Sequence, residues 1–356
     1  MVASPSQLVK EPRMRETRFA IFGTGFWSRF QLAGWQEIPN VRCVAVYNRT
    51  RSKGQAYADA HGIPAVYDDA TKLLDEQEID FCDVITAVET HASFVKLCCE
   101  HGVRVISQKP MATSLAEAES MVAGCQAAGV PFYVHENWRW QPQIRAFKAA
   151  LDAEQIGAPF RARVHYNSSF PVFENQPFLK ELEQFILTDM GSHILDVVRF
   201  LFGEVESLYC QTHRVHADIR GEDVATLLMR MANGMVVEAE ISYASRTEHE
   251  RFPEAFILVE GSKGSLELAP DLWLRETTSA GTWSRRLEAP IYPRGDPAYG
   301  VIWPSIVAEN RDLLADIRGE GQAETTGVDN LRTVRLVFAA YESAAHNQVI
   351  RPYRDI

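Results

Sequence analysis

Three short stretches carry residue types that could move a hydride and a proton together. The first, Gly23-Thr24-Gly25-Phe26-Trp27, closes an apolar run and precedes a helical pattern. Its first glycine permits a tight turn, and its second lets the backbone approach a pyrophosphate, whose charge a helix N-terminus favours. Ser28 stands where the usual pattern has a third glycine. The second stretch, Gln108-Lys109-Pro110, closes another apolar run. A lysine there can bond a hydroxyl and, as a cation, favour its deprotonation, while the proline fixes the turn that follows. The third, Asp189-Met190-Gly191-Ser192-His193, spaces a carboxylate and an imidazole four residues apart, so that on a helix they share a face. A half-buried imidazole beside carboxylates titrates near working pH. A dinucleotide that accepts hydride, with groups that accept a proton, points to the oxidation of an alcohol or sugar.

These residues need elements to position them. Runs at 18–22, 41–47, 81–86, 103–107 and 132–134 read as strands, with helices near 27–37, 52–61, 91–101 and 115–128 between them. Nearly continuous apolar strands alternating with helices predict a parallel sheet covered on both faces. Right-handed crossovers make this a doubly wound Rossmann domain, expected at 17–137. Lys109 then falls at the carboxyl edge of a strand, where such sheets bind ligands.

After Asn137 the pattern changes. A helix at 143–151, a strand at 160–167 and a helix at 186–202 precede two hairpin signals, Asn233-Gly234 and Gly261-Ser262-Lys263-Gly264. In the 186–202 helix, Ile186, Met190, Ile194, Val197 and Leu201 form the apolar stripe. At about 100° per residue His193 lies at its edge, with Asp189 and Asp196 beyond. The hairpins predict an antiparallel sheet in an α+β second domain at 138–356, closed by a helix near 330–346. Residues 1–16 read as a loose polar extension.

With 356 residues, 46% of them hydrophobic, the chain is long enough for two cores. A net charge of −11 argues against a nucleic-acid partner. No run approaches the roughly 18 apolar residues of a membrane span. The six cysteines show no metal spacing and predict no metal site. Mostly set in apolar patterns, they read as free thiols in a cytoplasmic protein.

The end of the second strand should read the adenosine ribose. Tyr47-Asn48-Arg49-Thr50-Arg51 has no carboxylate for a 2′-hydroxyl. Arg49 tolerates a 2′-phosphate, which leans to NADP, whereas Asn48 could bond a free ribose. Trp138 could stack on a sugar or pack between domains.

Taken in order, these motifs resemble the glucose-fructose oxidoreductase / inositol dehydrogenase / rhizopine catabolism (Gfo/Idh/MocA) family, from about residue 19 to beyond 264. Gln108-Lys109-Pro110 is similar to that family's Glu-Lys-Pro, with glutamine for glutamate. Asp189 to His193 is similar to its Asp-xxx-His. Asn137, Arg139, Pro142, Ile156 and Gly157 match its Asn-x-Arg pattern, and Thr86 with His91 its Thr-Pro-xxx-His turn, although Ala87 replaces the proline.

The resemblance implies a Rossmann domain followed by an open antiparallel sheet used for dimer or tetramer contacts. It implies Lys109, Asp189 and His193 as the catalytic group, with His193 the base, Asp189 orienting it or binding substrate, and Lys109 polarising the reacting hydroxyl. Gly23, Gly25, Phe26, Trp27, Asn48, Arg49, Thr86, His91, Gln108 and Arg139 are the expected cofactor contacts. Trp138 and Asn167 join the catalytic group as expected substrate contacts. The stretches 135–140 and 182–193 are similar to the branch that includes D-apiose dehydrogenases, which implies NAD and an anomeric oxidation to a lactone. A glycosidase or epimerase with transient oxidation, and a non-catalytic redox sensor, are the competing readings.

Overall fold

The computed structural model describes residues 15–248, 253–295 and 299–353; most of the expected N-terminal extension, residues 1–14, lies outside them. The chain first lays down β1 (Thr17–Phe22), α1 (Ser28–Gln36), β2 (Val41–Tyr47), α2 (Arg51–His61), β3 (Ala65–Tyr67) and α3 (Ala70–Glu76). Then come β4 (Phe81–Val84), α4 (His91–Glu100), β5 (Arg104–Gln108), α5 (Leu115–Ala128) and β6 (Phe132–His135). The strands pair in parallel in the order β3-β2-β1-β4-β5-β6, the doubly wound arrangement with its ligand crevice at the carboxyl ends. β3 and α3 are too short to have shown a period in the sequence. Helix α5 starts where Ser114 accepts from the Glu117 amide at 3.2 Å and Glu117 reaches back to the Thr113 amide at 2.9 Å. This reciprocal cap ends the loop that carries Lys109.

The second half contributes α6 (Pro142–Asp152), β7 (Pro159–Asn167), α7 (Val172–Asn175), α8 (Ser192–Phe202), β8 (Val205–His213), β9 (Val224–Met231) and β10 (Val236–Ser242). It continues with β11 (Phe256–Gly261), β12 (Gly264–Ala269), β13 (Trp273–Thr278), β14 (Gly281–Arg286), α9 (Ile302–Ile317) and α10 (Gly327–His346). Its eight strands run in the order β14-β13-β12-β11-β7-β10-β9-β8. The expected antiparallel sheet is in fact mixed, because β7 and β10 pair in parallel. A long excursion through α8 and the β8–β9 pair separates them, and only such a crossover can return a strand in the same direction. The inner face packs on α8 through Ala162, Val164, Leu227, Val237, Ala239, Ile194 and Val198.

The expected second domain, residues 138–356, does not pack as one unit. Helix α9 packs on the first sheet: Trp303, Ile306, Val307 and Leu313 share a core with Phe19, Phe30 and Trp35. Helix α10 spans both units, with Val334 in a core of the first sheet and Leu336 and Val337 in that of the second. An apolar helix carries no mark of which sheet it will cover, so this assignment is tertiary.

Candidate active site

The glycine loop is held as its sequence demands. Gly23 has φ 98°, and a Cβ there would lie 2.7 Å from the Ile85 carbonyl oxygen. Gly25 is exposed, and a Cβ there would meet nothing within 4 Å. The first glycine is therefore required by the chain's own packing, and the second leaves open backbone before the N-terminus of α1. Ser28 is buried and donates to the Gly25 carbonyl at 2.7 Å, so it closes the turn that a third glycine would have packed. Asn48 donates to Thr24 at 2.6 Å and accepts from the Thr50 amide at 2.8 Å. Its side chain pins the glycine loop to the end of β2, and Arg49 beside it is exposed.

Two expected cofactor contacts are placed elsewhere. His91 is buried, with Nδ1 3.1 Å from the Pro110 carbonyl oxygen and Nε2 3.2 Å from that of Thr86. It ties the loop after β4 to the loop after β5, and its pKa is lowered by burial. Arg139 is buried too, bonding both oxygens of Asp196 and, at 2.8 Å, Asp329. Thr86 is half-buried and accepts from the Thr90 hydroxyl at 2.7 Å. Asn167, expected at the substrate, follows the core-facing Tyr166 in β7 and so turns to the other face of the sheet, 3.4 Å from Glu240.

The proton-handling groups do come together. Lys109, Asp189, His193, Trp138 and Gln108 line one cleft of about 730 Å³ with Phe26 and Trp27 of the glycine loop. Lys109 Nζ donates to Asp189 Oδ1 at 2.9 Å and to its carbonyl oxygen at 3.1 Å. The Tyr243 hydroxyl donates to Asp189 Oδ2 at 3.2 Å. His193 is not oriented by Asp189: its Nδ1 meets Glu136, and its ring stacks on Trp138 with centroids 5.0 Å apart. The expected α-helical spacing fails because Leu187–Gly191 forms a π-turn ahead of α8. Its wider turn changes the angle between residues four apart, and such turns recur at functional sites. Burial, and then the nearby Lys109 charge, hold the His193 pKa well below its ordinary value. Burial also pushes Glu136 up to about 7, against the pull of Lys109.

Gln108 is dictated by its neighbour. Gln31 donates to the buried carboxylate of Asp83 at 2.8 Å, which leaves its oxygen to accept from the Gln108 amide at 2.6 Å. A glutamate at 108 would set an ionised oxygen against that carbonyl oxygen. The other end of the Gln108 side chain accepts from the Lys109 amide at 2.8 Å.

Residues 17–136 match the oxidoreductase family with an NAD-binding Rossmann fold, and residues 144–267 match the Gfo/Idh/MocA C-terminal domain. The chain belongs to the Gfo/Idh/MocA family. It is 41% identical over 331 residues to a D-apiose dehydrogenase of Paraburkholderia graminis, covering 93% of this chain and 88% of that one. It is 36% identical to another of Rhizobium rhizogenes, covering 95% and 98%. A crystal structure of an oxidoreductase from Agrobacterium radiobacter, in complex with NAD+, L-tartaric acid and magnesium, superposes with a TM-score of 0.92. That protein shares 36% identity, with 95% of this chain and 98% of that one covered.

This Gfo/Idh/MocA protein is thus an NAD-dependent oxidoreductase acting on CH–OH groups. The open backbone at Gly25, beside Phe26, Trp27 and the start of α1, fits a dinucleotide. Three functional candidates escaped the sequence reading: Glu136, Gln31 and Tyr243. Glu136 had a usable signal. Gln108 and His135 are register partners in β5 and β6, so the residues after them, Lys109 and Glu136, leave the same sheet edge together. Gln31 and Tyr243 had none, since each reaches its partner only through the fold.

Proposed function

We propose that this enzyme is a sugar dehydrogenase that oxidises the anomeric hydroxyl of D-apiose, a branched pentose, to the lactone. The observation that carries the reading is the convergence of Lys109, Asp189 and His193, from stretches about 80 positions apart, on the cleft that the glycine loop also lines. The names of the two D-apiose dehydrogenase relatives support the choice of sugar. NAD, when bound, supplies the acceptor for the hydride released from the sugar carbon.

The chain's own residues handle the proton. Nδ1 of His193 is taken by Glu136, which leaves Nε2 to accept the proton of the reacting hydroxyl. Lys109, anchored by Asp189, donates to that same oxygen and stabilises its developing negative charge. Tyr243 keeps Asp189 turned toward the lysine. Trp138 supports the imidazole ring from one side and limits its rotation.

A homodimer or homotetramer through the open face of the eight-stranded sheet belongs to the same proposal. Leu228 is exposed there, opposite Glu238 in register, on the face that also carries the Arg161–Glu260 pair at 2.8 Å. The six free thiols support a cytoplasmic location. Among the described residues, no helix is long and apolar enough to cross a membrane.

The test is a cofactor-reduction screen of free pentoses, hexoses and polyols with NAD and NADP. The expected result is net NADH from D-apiose with lactone as product. Turnover of other sugars but not D-apiose would overturn the substrate, and no net NADH from any of them would overturn the dehydrogenase.

A further inference from the structure

Every feature around Glu136 is arranged to fix its position. Its side chain is fully buried and its carboxylate meets His193 Nδ1. Its backbone amide donates to Glu309 Oε1 at 2.8 Å. The flanking residues are anchored to the same helix, α9: His135 Nε2 lies 3.1 Å from Asn310 Oδ1, and Asn137 donates to Ser305 at 2.7 Å. The end of β6 is thus fastened by three hydrogen bonds to a helix that also packs on the first sheet. This anchoring holds Glu136 against a ring already stacked on Trp138. The other carboxylate oxygen, Oε2, is buried as well, and the Trp138 backbone N–H favours the ionised carboxylate.

We propose that Glu136 is a positioning residue: it holds His193 in the tautomer protonated at Nδ1, so that Nε2 faces the cleft as an acceptor, and it balances the charge of the imidazolium formed when the hydroxyl proton arrives. The proposal rests on the reading of His193 as the base. The step is a plain proton transfer. The sugar O–H bond breaks and an Nε2–H bond forms; the carbon gains its C=O bond as its hydride would pass to NAD.

Other charges bear on the pair from every side. Lys109 extends from the end of β5, and Asp189 sits on the π-turn paired to it. Asp196 on α8 is neutralised by Arg139. On α9, Glu309 has Oε2 3.1 Å from His135 Nδ1, and burial raises its pKa well above the ordinary value. Against this background the Glu136–His193 pair takes up its proton as a unit when pH falls. The base is then lost, which sets the acid limb of kcat/KM. Burial raises Glu136 and lowers His193, so removing the carboxylate moves that limb to lower pH.

The experiment compares Glu136→Gln, Glu136→Asp and His193→Ala as full-length enzymes. It reads kcat, the pH profile of kcat/KM, the Kd for NADH and the thermal midpoint. Glu136→Gln should lower kcat about 10- to 100-fold, the range that losing an orienting partner costs a functional histidine elsewhere. NADH affinity should hold and the acid limb should shift to lower pH. Glu136→Asp, with a carboxylate on a shorter arm, should recover part of both effects. A Glu136→Gln enzyme with unchanged kcat and acid limb, beside an inactive His193→Ala, would overturn the proposal and leave the base assignment standing. So would a loss confined to the thermal midpoint, with the limb unmoved. An active His193→Ala would remove the base itself.

Discussion

Two polar clusters lie along the helical segment that ends in α8, and they follow opposite rules. In the rear cluster, Arg139 donates to Asp196 and Asp329, while Arg199 donates to Thr333 at 2.8 Å and to Glu204 and Asp329 at 2.9 Å. Two buried cations there share three carboxylates and a hydroxyl. In the front cluster, Lys109, Asp189, His193 and Glu136 make fewer contacts, and Lys109, Asp189 and His193 line the cleft. A saturated network serves the fold, because every lost partner leaves a buried charge. A less saturated one serves chemistry, because the groups that face the cleft keep donors and acceptors for a substrate.

The sharpest test of this contrast is loss of turnover without loss of structure. Lys109→Ala or His193→Ala should lower kcat by at least about 100-fold, as expected when acid–base assistance is removed. Circular dichroism should report the same folded state. Near-normal turnover in both would erase the distinction between the clusters.

The rear cluster should answer in the opposite currency. Asp196→Ala leaves Arg139 only its Asp329 hydrogen bond and should cost about 3–5 kcal/mol of stability in denaturant unfolding, the usual penalty for breaking a buried pair. Specific activity of the folded fraction should stay near that of the parent. A fall in kcat larger than the stability loss explains would show that the two clusters are one.

The glycine loop offers a smaller comparison of the same kind. Gly23→Ala meets both a positive φ and the Ile85 carbonyl, so the melting temperature should drop along with NADH affinity. Gly25→Ala, in open space, should leave melting unchanged and weaken NADH about tenfold. Equal effects of the two would mean that Gly25 is needed by the fold and not by the cofactor. The smallest effect is expected at Arg49, which is exposed. Arg49→Ala should weaken NADPH severalfold and NADH hardly at all, measured by fluorescence titration.

Much of the first domain was legible because its strands are short apolar runs punctuated by glycine, and each βα unit is local. The same holds for Lys109 and the Asp189/His193 stretch, whose residue types announce proton chemistry. His91 and Arg139 misled for a physical reason. An imidazole or guanidinium has the same composition whether it faces a ligand or bonds buried carbonyls and carboxylates. Asn167 is turned away by the alternation of its strand, a period the sequence already showed.

What the sequence determined by itself, then, was the set of local elements and the chemical types at the sheet edge, because turn geometry and apolar period act over a few residues. Only the tertiary structure decided the partners. It gave His193 to Glu136 and Asp189 to Lys109, fitted Gln108 to Gln31, and brought α9 back across the first sheet. Those choices depend on desolvated contacts between segments up to about 270 positions apart, where complementarity of buried groups selects the pairing.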